Sequence, residues 1–139
     1  MLPAIWCLAK CAERANTSFY YLDPHELFFT EESASKGDAD AELDLLIVSD
    51  GLVRLCEAKA SGQGLEVAKT ADLAMRIRPD VVTLAVMEPR SNALTQRLSE
   101  LQQKLAGSDI AADLMTLEAR DIEDSPTLPT GTSYRMRLF

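Results

Sequence analysis

The sequence predicts an α/β protein of three layers, α/β/α, with a mixed central β-sheet. Two apolar runs, LDLLIV and LVRLCEA, flank Asp50 and Gly51, and a two-residue Asp-Gly loop is typical of a type I′ β-hairpin. A continuous apolar run from Val81 to Met87 is typical of a buried parallel strand. Segments of helical period precede the hairpin and lie on both sides of this run, so we expect helices on both faces of the sheet.

The remaining elements follow from periodicity and from end signals. Three helices are predicted where apolar residues recur every three or four positions, at Pro3 to about Ala15, about Leu65 to Arg78, and Asn92 to about Leu105 with Ser91 as N-cap. Two further short strands are predicted at Glu26–Thr30 and Leu114–Leu117. The polar segment from Glu31 to Ala41 lacks periodicity, and we expect a mobile loop there.

Composition predicts one domain, at residues 1–120. The chain has 139 residues and 47% hydrophobic content, which is enough for one core. The irregular segment at 121–139 is rich in proline and threonine, and its last residues, YRMRLF, could add an edge strand or an arm. The N-terminus has no basic region before its short apolar stretch, so we expect neither a signal peptide nor a membrane span, and a cytoplasmic location. A chain that starts so directly in a helix could be a fragment of a longer protein.

The hairpin turn arranges four polar residues. With the Asp-Gly pair at the centre of the turn, Asp44 lies opposite Glu57, and Glu42 lies opposite Lys59. Because side chains alternate along a strand, all four are expected on one face of the sheet. Directly opposed carboxylates repel each other, and a divalent cation reverses the sign of that interaction. The pattern therefore predicts a half-site for Mg²⁺, which favours carboxylate, water and phosphate oxygens.

Asp44, a short turn and then Glu57-Ala58-Lys59 resemble the D…(D/E)xK signature of the PD-(D/E)xK phosphodiesterase superfamily. This superfamily includes restriction endonucleases and archaeal Holliday-junction resolvases. The resemblance implies that Asp44, Glu57 and the Ala58 carbonyl bind Mg²⁺ or Mn²⁺, and that Lys59 assists the attacking water. Three short letters form a weak motif by themselves, and the hairpin context gives it weight.

The resemblance extends from about Ile5 to Met87 and implies a restriction endonuclease-like fold. It implies a metal-dependent nuclease, with DNA as the expected substrate. Leu43 stands where the family often has a proline. Glu13, on the apolar stripe of the first helix, and Gln63, shortly after the motif, are candidate auxiliary residues. For Glu13 the alternative is a carboxylate at the helix end that turns into water.

The charge balance argues against a freestanding nucleic-acid binder. The formal net charge is −8, whereas phosphate contacts require clustered Lys and Arg. We therefore expect help from another domain or subunit, for example a homodimer that builds a basic surface from Arg76, Arg78, Arg135 and Arg137.

Other functions stay open beside the nuclease. One is a catalytically inactive nuclease-like module for binding or assembly, and another is a regulatory domain whose acidic face binds a basic partner. Glu57 and Lys59 could also form a simple surface ion pair. Cys7 and Cys11 lie four positions apart, but with His25 as the single histidine we expect no structural zinc site. The cysteines are expected to be buried free thiols.

Overall fold

The computed structural model of the protein describes residues 1–118. The edge strand or arm expected at 121–139 lies outside the described residues, and so do Arg135 and Arg137. In the part of the chain that is described, no helix is both long and apolar enough to cross a membrane.

The described chain contains four α-helices and seven β-strands. The helices are α1 (Leu2–Arg14), α2 (Glu31–Lys36), α3 (Val67–Ile77) and α4 (Asn92–Lys104). The strands are β1 (Phe19–Leu22), β2 (His25–Leu27), β3 (Ala41–Leu43), β4 (Leu45–Ser49), β5 (Leu52–Lys59), β6 (Val81–Pro89) and β7 (Ala111–Leu117). The helices α1, α3 and α4 confirm the three that periodicity predicts, with ends that differ by a few residues.

Five strands form the main sheet in the order β1-β4-β5-β6-β7. The pairs β1–β4 and β4–β5 are antiparallel, whereas β5–β6 and β6–β7 are parallel. The prediction of a mixed α/β fold is confirmed. The strands β2 and β3 form a separate two-stranded sheet.

The hairpin has the predicted register. Pairing runs from Ser49 opposite Leu52 to Leu45 opposite Cys56, and the two turn residues have φ values of 51° and 81°. Positive φ at both central residues is the type I′ geometry that Asp-Gly favours.

The carboxylate of Asp50 also fixes the segment that follows α1. It accepts hydrogen bonds from the backbone N–H groups of Asn16 at 2.9 Å, Thr17 at 2.7 Å and Ser18 at 3.1 Å. These donors hold the pKa of Asp50 well below its usual range. One residue therefore shapes the turn and attaches the end of α1 to it.

The two faces of the main sheet carry separate cores. Helices α3 and α4 cover Leu55, Val82 and Leu84, and α1 covers Ile47 and Cys56. Neighbouring residues of β5 thus contribute to opposite cores, as strand alternation requires.

The prediction of a mobile loop from Glu31 to Ala41 is wrong for most of these residues. Thr30 and Ser33 form a capping box at the start of α2, and Gly37 ends the helix in the left-handed conformation. These residues are polar because they cap the helix, and their polarity is what suggested a loop.

The prediction for the first strand is also partly wrong. The strand predicted at Glu26–Thr30 is reduced to β2, and Thr30 is the N-cap of α2. Strand β1 was not predicted. Within residues 1–118 it pairs with β4 alone, at the edge of the main sheet, and its exposed side chains, such as Tyr20, show no burial alternation.

Candidate active site

A cavity of about 820 Å³ is lined by β5, α3 and the segment from Ala39 to Asp44. Asp44, Glu57 and Lys59 all contribute to its lining. The structure therefore brings together the three residues that carry the motif. Their contacts differ from those predicted by continuing the hairpin pairing as far as Asp44.

Asp44 lies in a bend between β3 and β4, one residue beyond the last pair of the hairpin. Its Oδ2 accepts a hydrogen bond from the Ala58 N–H at 3.0 Å, and the Lys59 Nζ lies 3.2 Å from the same oxygen. The predicted pairing of Asp44 opposite Glu57 is thus replaced by side-chain contacts to the next two residues of β5. At Ala58, the group that contacts Asp44 is the amide N–H.

The predicted pairing of Glu42 with Lys59 is wrong. Glu42 lies in β3 and pairs with Glu26 of β2 in the small sheet. The bend at Asp44 takes β3 out of the main sheet, and it also explains why Leu43 and Leu45 pack in different cores. Glu42 still lines the cavity, so it is close to the motif although it is not in the hairpin.

Glu57 is a buried carboxylate, with only 7% of its surface exposed. Its Oε1 accepts a hydrogen bond from the Glu66 N–H at 2.9 Å, and its Oε2 accepts one from the Thr70 hydroxyl. Glu66 is the N-cap of α3 and makes no side-chain capping bond. Glu57 therefore places a negative charge at the N-terminus of α3, where the helix dipole stabilises it. These contacts offset the cost of burying the charge.

Asp44 and Glu57 both offer carboxylate oxygens, the kind of donor that Mg²⁺ and Mn²⁺ prefer. A carboxylate has about four lone-pair positions, and the described hydrogen bonds of Glu57 use two of them. The hydrogen bond from Ala58 and the ion pair with Lys59 both involve Oδ2 of Asp44. Among residues 1–118, no third Asp, Glu or His joins these two with ligand atoms within 4.8 Å of one another. An ion held here would complete its shell with water and phosphate oxygens, as Mg²⁺ commonly does.

The candidate auxiliary residues lie away from this cavity. Glu13 is exposed near the end of α1, and α1 covers the face of the sheet opposite to Glu57. The apolar stripe therefore does not bring its carboxylate into the core. Gln63 is exposed in a short 3₁₀ turn at Gly62–Gly64, where its N–H lies 3.3 Å from the Ser61 hydroxyl. Neither residue lines the cavity.

Some residues of the site, Thr70 among them, were not singled out by the sequence analysis, whereas Arg76 was named there as a basic residue. Thr70 is buried on the inner side of α3, and a polar residue within an apolar helical stripe is a signal that could have identified it. Lys69 pairs with Glu66 at 3.1 Å, and the Arg76 guanidinium lies 4.3 Å from the centre of the Phe29 ring. The carboxylates that line the cavity outnumber the basic groups. They are Asp40, Glu42, Asp44, Glu57, Glu66 and Asp72, against Lys59, Lys69 and Arg76.

Comparison of the chain with protein-family models, curated proteins and solved structures gave no match.

Proposed function

We propose that the protein hydrolyses phosphodiester bonds, most simply in DNA, with Mg²⁺ or Mn²⁺ held by Asp44 and Glu57. One observation carries this proposal. Asp44 and Lys59 form a 3.2 Å ion pair in the same cavity that is lined by the buried Glu57. A mixed sheet with an antiparallel hairpin, parallel strands and helices on both faces is also compatible with a restriction endonuclease-like fold.

The residues around the motif would hold the two carboxylates in place. The Ala58 N–H fixes Asp44, and the Glu66 N–H and the Thr70 hydroxyl fix Glu57. A bound divalent ion would supply positive charge to the phosphate and make a water molecule more acidic. The carbonyl of Ala58 is the further ligand that the family resemblance suggests.

Lys59 would act on the water and on the phosphate. Its ammonium group has three N–H donors, and the ion pair with Asp44 uses one of them. A second N–H could hold the oxygen of the attacking water or stabilise the charge that develops on the phosphate. The size of the cavity, about 820 Å³, lies within the range of sites that bind small molecules, so it can accept a nucleotide-sized segment.

A cleavage assay tests this proposal. Labelled single- and double-stranded DNA and labelled RNA are incubated with the wild type, Asp44→Asn, Glu57→Gln and Lys59→Ala in millimolar Mg²⁺ or Mn²⁺. We expect each variant to lose roughly a hundredfold to ten-thousandfold in rate, the usual effect of removing a proton-transfer or charge-stabilising group.

Two matched controls lie outside the cavity. Glu100→Gln neutralises a carboxylate in the ion pair with Arg97, and Lys36→Ala truncates a lysine in the ion pair with Glu32. Both should cleave like the wild type. A wild type that cleaves neither DNA nor RNA with either ion would overturn the hydrolase proposal.

The surplus of carboxylates in the cavity favours a second candidate, a module that binds a basic partner without cutting. In that case Glu57 only caps α3, and Asp44 and Lys59 form a structural ion pair. Binding of a Lys- and Arg-rich peptide that weakens in Asp44→Asn, together with no cleavage by the wild type, would support this candidate.

A further inference from the structure

The three cysteines of the chain meet beneath α1. Cys7 and Cys11 lie one turn apart on the same side of the helix, and Cys56 approaches from β5. Their exposed fractions are 0%, 6% and 1%. The three Sγ atoms lie within 4.8 Å of one another. The expectation of buried free thiols is confirmed, but their convergence was not predicted.

We propose that Cys7, Cys11 and Cys56 bind one Cu(I) ion through three sulfur ligands. Thiolate sulfur is a soft ligand that selects Cu(I) and Zn²⁺ over oxygen-seeking ions such as Mg²⁺. Metal–sulfur bonds near 2.3 Å place three sulfurs about 4 Å apart around a shared ion. The Sγ atoms, which all lie within 4.8 Å of one another, are close to that spacing.

The number of ligands decides between the two soft ions. Structural zinc sites almost always have four protein ligands. Among residues 1–118, no fourth Cys, His, Asp or Glu belongs to this group. Cu(I) is stable with three sulfur ligands and requires no fourth, so it fits a buried trio better than Zn²⁺ does.

A positively charged side chain lies beside the cluster. Arg54 lies two positions before Cys56 on the same face of β5, and its charge interacts with Cys11 and Cys56. The guanidinium is held in place by Asp113, with Nη1 2.8 Å from Oδ2. A cation fixed beside the cluster stabilises the negative charge that deprotonated thiols bring into the core.

The test uses the full chain, reduced and free of oxygen. Cu(I) is titrated in competition with a coloured Cu(I) chelator, and the sulfur ligands of the bound ion are counted by X-ray absorption. We expect one Cu(I) per chain, three sulfur neighbours, and slower alkylation of all three thiols than in the metal-free chain. Cys7→Ser and Cys56→Ser should each weaken binding at least tenfold.

Met115→Leu provides the matched control. Met115 is buried in the same core and carries a sulfur atom, but it is not a proposed ligand, so this variant should bind Cu(I) like the wild type. A wild type that binds no Cu(I), binds it through two sulfurs, or prefers Zn²⁺ in direct competition would overturn the proposal. The sulfur count and the alkylation test need no variant, so they decide the question even if a serine variant fails to fold.

Discussion

The two faces of β5 differ in the chemistry that they bring to the fold. Towards α3 the strand directs Glu57, an oxygen donor beside an open cavity. Towards α1 it directs Cys56, a sulfur donor sealed within the core. Because side chains alternate along a strand, the carboxylate and the thiol lie on opposite sides of the sheet. The helix on each side determines the contacts of that group. The carboxylate of Glu57 accepts hydrogen bonds from α3 and its N-cap, and the thiol of Cys56 lies beside two thiols of α1.

The faces also differ in how they are packed. The α3/α4 face is packed mainly by large aliphatic side chains, whereas the α1 face combines large ones, such as Leu45 and Ile47, with several small ones. The first group includes Leu55, Val82, Leu84, Leu94 and Leu101, and the second includes Cys7, Cys11, Cys56, Ala58 and Ala85. Truncation of a leucine in the first group should therefore cost more stability than truncation of a cysteine in the second.

The largest expected effect comes from Leu84→Ala compared with Cys56→Ala. Leu84 and Cys56 are equally buried, at 0% and 1% exposure, but the leucine leaves a larger cavity. We expect losses of about 2–5 kcal/mol for Leu84→Ala and about 1–2 kcal/mol for Cys56→Ala. Urea unfolding of the reduced, metal-free chain measures both. Equal losses would show that the two faces do not differ in packing as described.

The next effect separates the two proposed metal sites. Saturation with an ion at a hundredfold excess over its Kd should raise the free energy of unfolding by about 2.7 kcal/mol. We expect Asp44→Asn to lose the response to Mg²⁺ and keep the response to Cu(I), and Cys56→Ser to do the reverse. Thermal unfolding of the four combinations measures this. If one variant abolished both responses, the two sites would not be independent.

The sequence predicts the parts of the fold and the site that depend on residues close together along the chain. It does not predict contacts between residues far apart along the chain. The Asp-Gly turn determines the hairpin register locally, and hydrophobic periodicity locates α3 and α4. The bend at Asp44 has no local signal, because a single change of strand direction depends on where β3 finds a partner. The thiol cluster was not predicted for a similar reason. Cys56 lies far along the chain from Cys7 and Cys11, and spacing alone suggested only the pair of Cys7 and Cys11.

A smaller effect concerns Asp50, which connects the end of α1 to the hairpin. Its pKa is lowered, chiefly by the backbone N–H groups of Thr17, Asn16 and Ser18. A carboxyl whose pKa is lowered on folding adds stability above its unfolded pKa of about 3.9, and this stability is lost as the pH falls through the folded value. Asp50→Asn keeps a residue that tolerates positive φ. It should therefore be less stable than the wild type near neutral pH, and the difference should shrink in acid.

Unfolding of both proteins between neutral pH and pH 2 checks this prediction. Thr17→Val serves as the control, because it removes the side-chain contact to Asp50 but keeps the three backbone donors. It should retain most of the pH dependence of the wild type. A difference between the wild type and Asp50→Asn that stayed constant with pH would mean that the turn residue acts through backbone conformation alone.

The smallest expected effect on stability concerns two opposed glutamates, one of which, Glu42, lines the same cavity as Asp44 and Glu57. Glu26 and Glu42 stand opposite each other in the β2–β3 pair, and like charges in such a pair destabilise it. Glu26→Gln should raise the free energy of unfolding by about 0.2–1 kcal/mol without metal, and less at high salt because both residues are exposed. Urea unfolding at low and high salt measures the gain.

Glu32→Gln is the matched control, since its carboxylate faces Lys36 at 2.5 Å instead of another acid, and it should be neutral or slightly destabilising. The same pair of variants also examines the proposed position of the divalent ion. If the ion is held by Asp44 and Glu57, Mg²⁺ should stabilise Glu26→Gln as much as the wild type. If Mg²⁺ stabilises the wild type and not Glu26→Gln, the opposed carboxylates of β2 and β3 hold the ion, and the motif on β5 does not.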